Sequence, residues 1–226
     1  MGESESNDKI NRKKRMKGKI MRKSIILTVA FLLILSIFIA GCTSISSTSI
    51  PTPVQTTAIQ LSTIDPSEMA LTLSDVPAGF TIKEGSERTS SDMSQEAHAN
   101  GWEKGYYVQF ERSSTGTNTG VVDFEILEQT ISVYPIDNVN QVLDERGPEI
   151  LQTANTTFKV EQLSDPEIGD SSAAFRIKTS YSGVPINGFD IIFVKKDVYE
   201  EVASMGTSAD YETLKNLANV SASKIT

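Results

Sequence analysis

Two residues of distinctive chemistry stand alone in this chain: one histidine, His98, and one cysteine, Cys42. A single His cannot build a multi-histidine metal site, and a single Cys cannot close an internal disulfide. His98 is the only imidazole able to act as a base near neutral pH. It sits between Ala97 and Ala99 with no Ser or Cys nucleophile in a recognisable motif beside it, so it reads as a surface helical residue. Carboxylates are abundant, but no spacing singles out an acid–base pair. Glu200 and Glu201 are adjacent in a predicted strand, so they point to opposite faces and cannot work together. Asp123 and Glu125 share a face and alternate with apolar residues, the pattern of a solvated sheet face. Asp165-Pro166-Glu167-Ile168-Gly169-Asp170 places three carboxylates in six residues. It lacks the rhythm and terminal Glu of a calcium loop and reads as an acidic turn. No glycine-rich phosphate motif occurs. The expectation is no catalytic residue, no metal and no cofactor.

Aromatic residues offer a different chemistry. Trp102, Tyr106 and Tyr107 lie close together, and rings on a solvent face can stack on a sugar or grip a partner. The plainer reading has Trp102 closing a helix onto the sheet and Tyr106 in the core, which leaves Tyr107 as the exposed ring. Trp102 and Tyr107 are therefore the candidate partner or ligand surface. Asn155-Thr156-Thr157 and Asn219-Val220-Ser221 are sequons, so Asn155 and Asn219 are candidate N-glycosylation sites in a host that glycosylates exported proteins.

Charge is divided along the chain. Residues 1–24 carry a net charge of +6, residues 25–41 none, and the remainder −14. Ile25 to Ala40 is a run of sixteen residues broken only by Thr28 and Ser36. As a helix it spans about 24 Å, short of the ~30 Å hydrocarbon core. A basic segment, a short apolar segment and small residues after it form the layout of a secretory signal peptide. Met16 or Met21 is a plausible true start. Ile39-Ala40-Gly41-Cys42 resembles the lipobox of prokaryotic lipoproteins, in which the Cys after two small residues receives lipid. That resemblance implies lipidation at Cys42 and a protein anchored to the membrane without spanning it. The competing readings are an uncleaved hydrophobic anchor with an incidental Cys and, less in keeping with the basic flank, a cytosolic core helix. Both membrane readings place the rest of the chain outside the cytoplasm.

Residues 42–64 form a tether: eleven of the 21 residues from Thr43 to Thr63 are Ser or Thr, and none is charged. Such a stretch cannot bury a core. Residues 65–226 are long enough for one domain. The Asp92/Gln95 pair predicts a capping box that opens a short helix ending at Asn100-Gly101. Alternation predicts a strand around Tyr106 to Phe110, a loop over Ser113–Gly120, and a return strand from Val122. Its apolar phase changes between Ile126 and Ile131, which predicts a bulge near Glu128. Asp137 is expected to cap a helix interrupted at Gly147-Pro148. Strands follow over Phe158–Leu163, Ala173–Thr179, Phe189–Val194 and Val198–Met205, with a loop over Ser180–Gly188. A last helix runs from Ser208 to Ile225. The result is an α+β domain: a mostly antiparallel sheet of about five to seven strands with about three helices packed on it.

The stretch from Ile168-Gly169-Asp170 to Ile177, followed by Phe189–Val194, a turn, a strand and a terminal helix, resembles small exported α+β domains of prokaryotic lipoproteins and membrane-tethered sensor proteins. This resemblance implies a binding or accessory role and carries over no functional residues. The expected protein is a non-enzymatic, membrane-anchored extracytoplasmic module for an envelope protein partner or a small ligand. The Ser/Thr stalk and acidic domain lean towards an archaeal surface. The alternatives are a secreted carboxylate-dependent hydrolase acting on sugars or envelope material, and a structural envelope component. The net charge of −14 argues against nucleic acid as a partner.

Overall fold

The computed structural model describes residues 63–115 and 122–226. Cys42, the hydrophobic segment, most of the tether and most of the Ser113–Gly120 loop lie outside the described residues. The elements run α1 (Pro66–Met69), β1 (Thr81–Arg88), a 3-10 turn (Ser90–Asp92), α2 (Gln95–Ala99), β2 (Lys104–Thr115), β3 (Val122–Val133), α3 (Val139–Gln152), β4 (Lys159–Gln162), β5 (Ser171–Tyr181), β6 (Val184–Lys195), β7 (Val198–Gly206) and α4 (Tyr211–Lys224). The seven strands of the described residues form one antiparallel sheet in the order β1-β2-β3-β7-β6-β5-β4. The domain is α+β, as its strand and helix periodicities predict.

The order has a simple origin. β1-β2-β3 is one meander and β4-β5-β6-β7 is another, each built from neighbours in sequence. They join where β3 pairs with β7, from Glu125 opposite Gly206 to Val133 opposite Val198. Two-residue turns close the second meander: Ser182-Gly183, with φ of 51° and 82°, and Lys196-Asp197, with Lys196 at φ 57°. Turns with positive φ match the right-handed twist of the strands they join. The predicted Ser180–Gly188 loop is therefore mostly strand, because Ser182-Gly183 needs only two residues to reverse the chain.

Both faces of the sheet carry apolar residues, and each is covered differently. The first face holds Val108, Phe110, Leu127, Ile131, Ile191, Phe193, Val198 and Val202 in one cluster. It is closed by α4 through Leu214, Leu217, Ala218 and Ala222, and by the lead-in segment through Met69, Leu71, Val76 and Phe80. Asp210 caps α4 by accepting from the Thr213 amide at 2.8 Å. The segment is pinned by Lys224 Nζ, which donates to Ala70 O at 2.7 Å and to Asp75 Oδ2 at 2.8 Å. Lys104 Nζ holds Ile64 O at 2.9 Å. The second face packs Phe175, Ile192, Val194 and Tyr199 against Val139 and Ile150 of α3.

This two-faced cover explains why the expected bulge near Glu128 is absent. The register of β2 with β3 runs unbroken from Lys104 opposite Val133 to Thr115 opposite Val122. The apolar residues change phase because they change face: Ile126 lies on the second face, while Leu127 and Ile131 lie on the first. The irregularity sits in β1 instead, between Ile82 and Glu84.

Other local expectations also shift. α3 runs through Pro148 without a break; Pro148 supplies no N–H for the Asp144 carbonyl, a loss the packed helix absorbs. Its N-cap is Asn138, not Asp137. Asp92 closes the 3-10 turn with Thr89 through a capping box, and Ser94 caps α2. Glu125 is not on a solvated face. It is buried and accepts from Arg112 Nη2 at 2.5 Å and from Ser204 Oγ at 2.7 Å.

Gly105 shows how close packing selects a residue type. A Cβ there would lie 2.5 Å from Ile131 O and 3.4 Å from the Trp102 ring. Backbone cannot retreat from the middle of a sheet, so Gly105→Ala is expected to destabilise the domain by about 2 kcal/mol or more. Chemical denaturation reads this as a lower midpoint with an unchanged slope.

Candidate functional site: a half-covered sheet face

Cross-strand register arranges the second face into rows. One row runs Ser86, Tyr107, Thr130, Glu201, Ile192. The next runs Glu84, Gln109, Glu128, Ala203, Asp190, Phe175. A third carries Glu111, Ile126, Met205, Gly188 and Ile177. α3 covers the β4–β7 side, and Trp102 packs against the same cluster. Tyr107, Gln109, Ile126, Thr130, Ala203 and Met205 are half-buried.

The polar residues here form two linked groups. Arg146 from α3 grips Glu201 with two bonds, Nε to Oε2 at 3.0 Å and Nη2 to Oε1 at 2.9 Å. Its Nη1 donates to Glu149 Oε2 at 3.1 Å. Tyr199 Oη also donates to Glu201 Oε2 at 3.1 Å. Burial would raise the Glu201 pKa, but Arg146 and these donors outweigh it and hold the carboxyl below its ordinary value. Asp190 lies diagonally across from Glu201 on β6. Burial, then the Glu201 charge, pushes the Asp190 carboxyl well above its ordinary value. A hydrogen bond between Asp190 and Glu201 acts in the same sense, favouring the protonated form of Asp190 and the charged form of Glu201. Its Oδ1 is buried without a partner.

Glu128 forms the second group. Its Oε1 accepts from Tyr107 Oη at 2.9 Å and from Gln109 Nε2 at 3.1 Å. Burial raises its pKa to about 7, with the Tyr107 bond opposing and the Glu201 and Glu84 charges reinforcing. Burial likewise pushes the Tyr107 hydroxyl up. Arg88, at the end of β1 beside Gly105, has its pKa lowered by burial against the fields of Tyr134 and Glu201. The chemistry on offer is two buried carboxyls, both raised by burial, beside an apolar strip.

The sequence-chosen residues are distributed unevenly. Trp102 donates from Nε1 to Ser132 Oγ at 3.3 Å and packs beside Gly105. Tyr107 is on the same face, but it is a half-buried donor to Glu128 rather than a free ring. Asn155 is exposed, with Oδ1 accepting from the Thr157 and Phe158 amides at 2.7 and 2.9 Å. Asn219 is exposed on α4, and its Nδ2 donates to Lys215 O at 2.9 Å. His98 is exposed and its Nε2 meets Ser90 O at 3.0 Å. In the acidic turn, Asp165 accepts from the Glu167 amide and Ser172 Oγ, and Asp170 from the Lys196 amide. Those carboxylates hold the turn. Among the described residues no three His, Cys, Asp or Glu side chains come together as a metal site. Asp190, Glu128 and Arg146 were missed, because only cross-strand register brings them to one face.

The fold and this face define a class: a single-sheet α+β domain with one closed face and one half-covered face. No protein-family model matches the chain, and no curated protein matches its sequence. The chain is similar in structure to the extracellular domain of PknH from Mycobacterium tuberculosis, with a TM-score of 0.55 and 10% sequence identity over 74% of this chain and 98% of that one. At that identity the likeness is one of fold. Among the described residues no helix is long and apolar enough to cross a membrane.

Proposed function

We propose that this protein is a membrane-anchored extracytoplasmic binding module. In this reading Cys42 carries lipid, residues 42–64 are the tether, and residues 65–226 present the half-covered face to a partner protein or small ligand. The observation that carries the reading is Asp190: a buried carboxyl with an oxygen left unpartnered, beside Glu128, on a face that the described helices only partly cover. The fold shared with an extracellular domain and the signal-like N-terminus support an outward location. Asn155 and Asn219 are both exposed, so either can accept carbohydrate where the host supplies it.

Two experiments test this. Cys42→Ser is expected to release the protein from the detergent phase or to block processing of residues 1–41. Unsubstituted protein that itself keeps residues 1–41 and carries no lipid at Cys42 would favour an uncleaved anchor. Cross-linking of the native membrane-attached protein is expected to capture a partner at near-equal stoichiometry, lost in a Tyr107→Ala, Met205→Ala double variant. A carboxylate-dependent hydrolase would have to use Glu128 and Asp190, the two acids of one row. Turnover of a chromogenic glycoside that disappears in Glu128→Gln would replace binding with catalysis.

A further inference from the structure

We propose that β1 is a docking edge for a second copy of this chain. Two β1 strands pair antiparallel about a two-fold axis centred on Ser86, and each Arg88 meets the partner's Glu84. The inference goes beyond the binding reading above and takes from it only the membrane tether. β1 closes one end of the sheet and pairs with β2 alone. It is exposed from Thr81 to Glu87 and half-buried at Arg88, so it presents an outer row of N–H and C=O groups to an incoming strand.

Arg88 sets the chemistry of the partner. Arg112, Arg146 and Arg176 each hold a carboxylate. Arg88 makes no hydrogen bond and no ion pair among the described residues. The acids whose fields reach it are committed elsewhere: Glu201 to Arg146, and Asp92 to the Thr89 amide and hydroxyl. Tyr107 and Tyr134 feel its charge from the sheet side, and the Trp102 ring stands over Gly105, its neighbour in the row. A half-buried guanidinium with its donors idle calls for a carboxylate. With the sheet side taken, that carboxylate comes from the edge.

β1 itself carries the acid. Glu84 is exposed, holds no cation among the described residues, and shares a face with Arg88, the two lying opposite Gln109 and Gly105. Pairing with β2 is regular from Glu84 to Arg88 and breaks between Ile82 and Glu84. In a two-fold antiparallel pair each residue meets one of its own face, so the axis passes through a residue position. Centred on Ser86, both Glu84 side chains meet the partner's Arg88, Gly85 makes room for the partner's Glu87, and the whole regular stretch is used. Centred on Glu84, like charges meet. Centred on Gly85, Arg88 faces the partner's Ile82 beyond the irregularity; centred on Glu87, Glu84 faces the partner's Ser90 in the 3-10 turn. The contact is smaller than a standard interface, and the net charge of −14 on residues 42–226 opposes it. Joint tethering in the plane of the membrane supplies the local concentration it needs.

The test is oxidative cross-linking of the full chain, carrying Ser86→Cys, in isolated membranes. Directly opposite Cα atoms lie about 4.5–5.5 Å apart, within the ~4.4–6.8 Å span of a disulfide. Copper phenanthroline should therefore give a dimer whose peptide map links position 86 of two copies. The parent chain, and Lys159→Cys on the β4 edge, should stay monomeric. Adding Glu84→Arg or Arg88→Glu sets like charges opposite each other and should cut the product roughly tenfold. Adding both should restore it, because the pairs form again with their signs exchanged. Absence of the linkage overturns the inference, as does equal linkage at position 159 or a double reversal no better than the single ones. Should a single reversal misfold, the Ser86→Cys linkage and the double variant still decide. A lipidated chain without the linkage sinks the dimer alone. Linkage in a chain with no lipid at Cys42 sinks the anchor of the proposed function alone.

Discussion

Raising the pH from 4.5 to about 8 is expected to cost this domain stability, and Glu200→Gln should remove a large part of the loss. Glu200 is fully buried on the closed face. Its Oε2 accepts from Gln129 Nε2 at 3.1 Å and from Ser221 Oγ, while Oε1 has no partner. Gln129 in turn takes the Leu71 amide at 2.7 Å, so the network ties β3, β7, α4 and the lead-in segment together. Burial raises the Glu200 pKa from 4.5 to about 7; the Ser221 and Gln129 bonds and the Lys224 and Lys195 charges only partly oppose it.

The sign follows from linkage. A carboxyl raised in the fold costs nothing below its unfolded pKa, and the penalty grows as pH climbs from there to the folded pKa. At 1.36 kcal/mol per pH unit, the full penalty is roughly 3 kcal/mol. Glu128, also raised to about 7, adds in the same direction. Glu201 runs the other way: its lowered pKa contributes stability that disappears as pH falls through that value. Gln at position 200 mimics the protonated acid, so the variant should match the parent at about pH 4.5 and exceed it by about 3 kcal/mol at about pH 8. Equal stabilities at both pH values would show that Glu200 ionises without cost.

The second large effect is expected at Arg146. Its guanidinium and Glu201 are each less than one-fifth exposed, and Asp190 lies beside them. Arg146→Met would strand the Glu201 carboxylate, buried and without its cation, next to a second buried acid. Breaking one partner of a buried pair costs about 3–5 kcal/mol, roughly 10 °C in melting temperature for a domain of this size. Adding Glu201→Gln removes the stranded charge, and the double variant should recover most of the loss. A double variant no more stable than Arg146→Met would mean that Arg146 acts through packing on the sheet, not through charge.

The second meander was largely legible from sequence; of the first, the pairing of β2 with β3 was legible and β1 was not. β6 reads as an interior strand because Phe189 to Val194 is apolar except for Asp190, as both-face burial requires. α4 announces itself through Leu214, Leu217, Ala218 and Ser221, which share one buried face. β1 gives no signal: TIKEGSER is exposed along nearly all its length, so no alternation marks it. β3 misleads, because a sheet covered on both sides lets the apolar residues switch faces where a one-sided sheet would need a bulge. The candidate site suffers from the same physics. Glu128, Asp190 and Glu201 lie 11 to 73 positions apart in sequence, and pairing across β3, β7 and β6 alone makes them neighbours. Tyr107 and Trp102 were readable as residues of interest, although their hydrogen bonds to Glu128 and Ser132 could not be foreseen.

The junction of the two meanders also sets the order in which the chain can mature. β1-β2-β3 can assemble from contacts between neighbours, and so can β4 to β7, whereas pairing β3 with β7 closes a stretch that runs through α3 and three strands. Local pairings form early and the distant one late. A chain emerging N-terminus first therefore exposes the β3 edge, with Leu127 and Ile131 uncovered, until β7 and α4 arrive. An unpaired apolar edge recruits other chains, so the nascent protein is most vulnerable to aggregation at one seam, late in its synthesis. A slowed or truncated C-terminal half would prolong that interval.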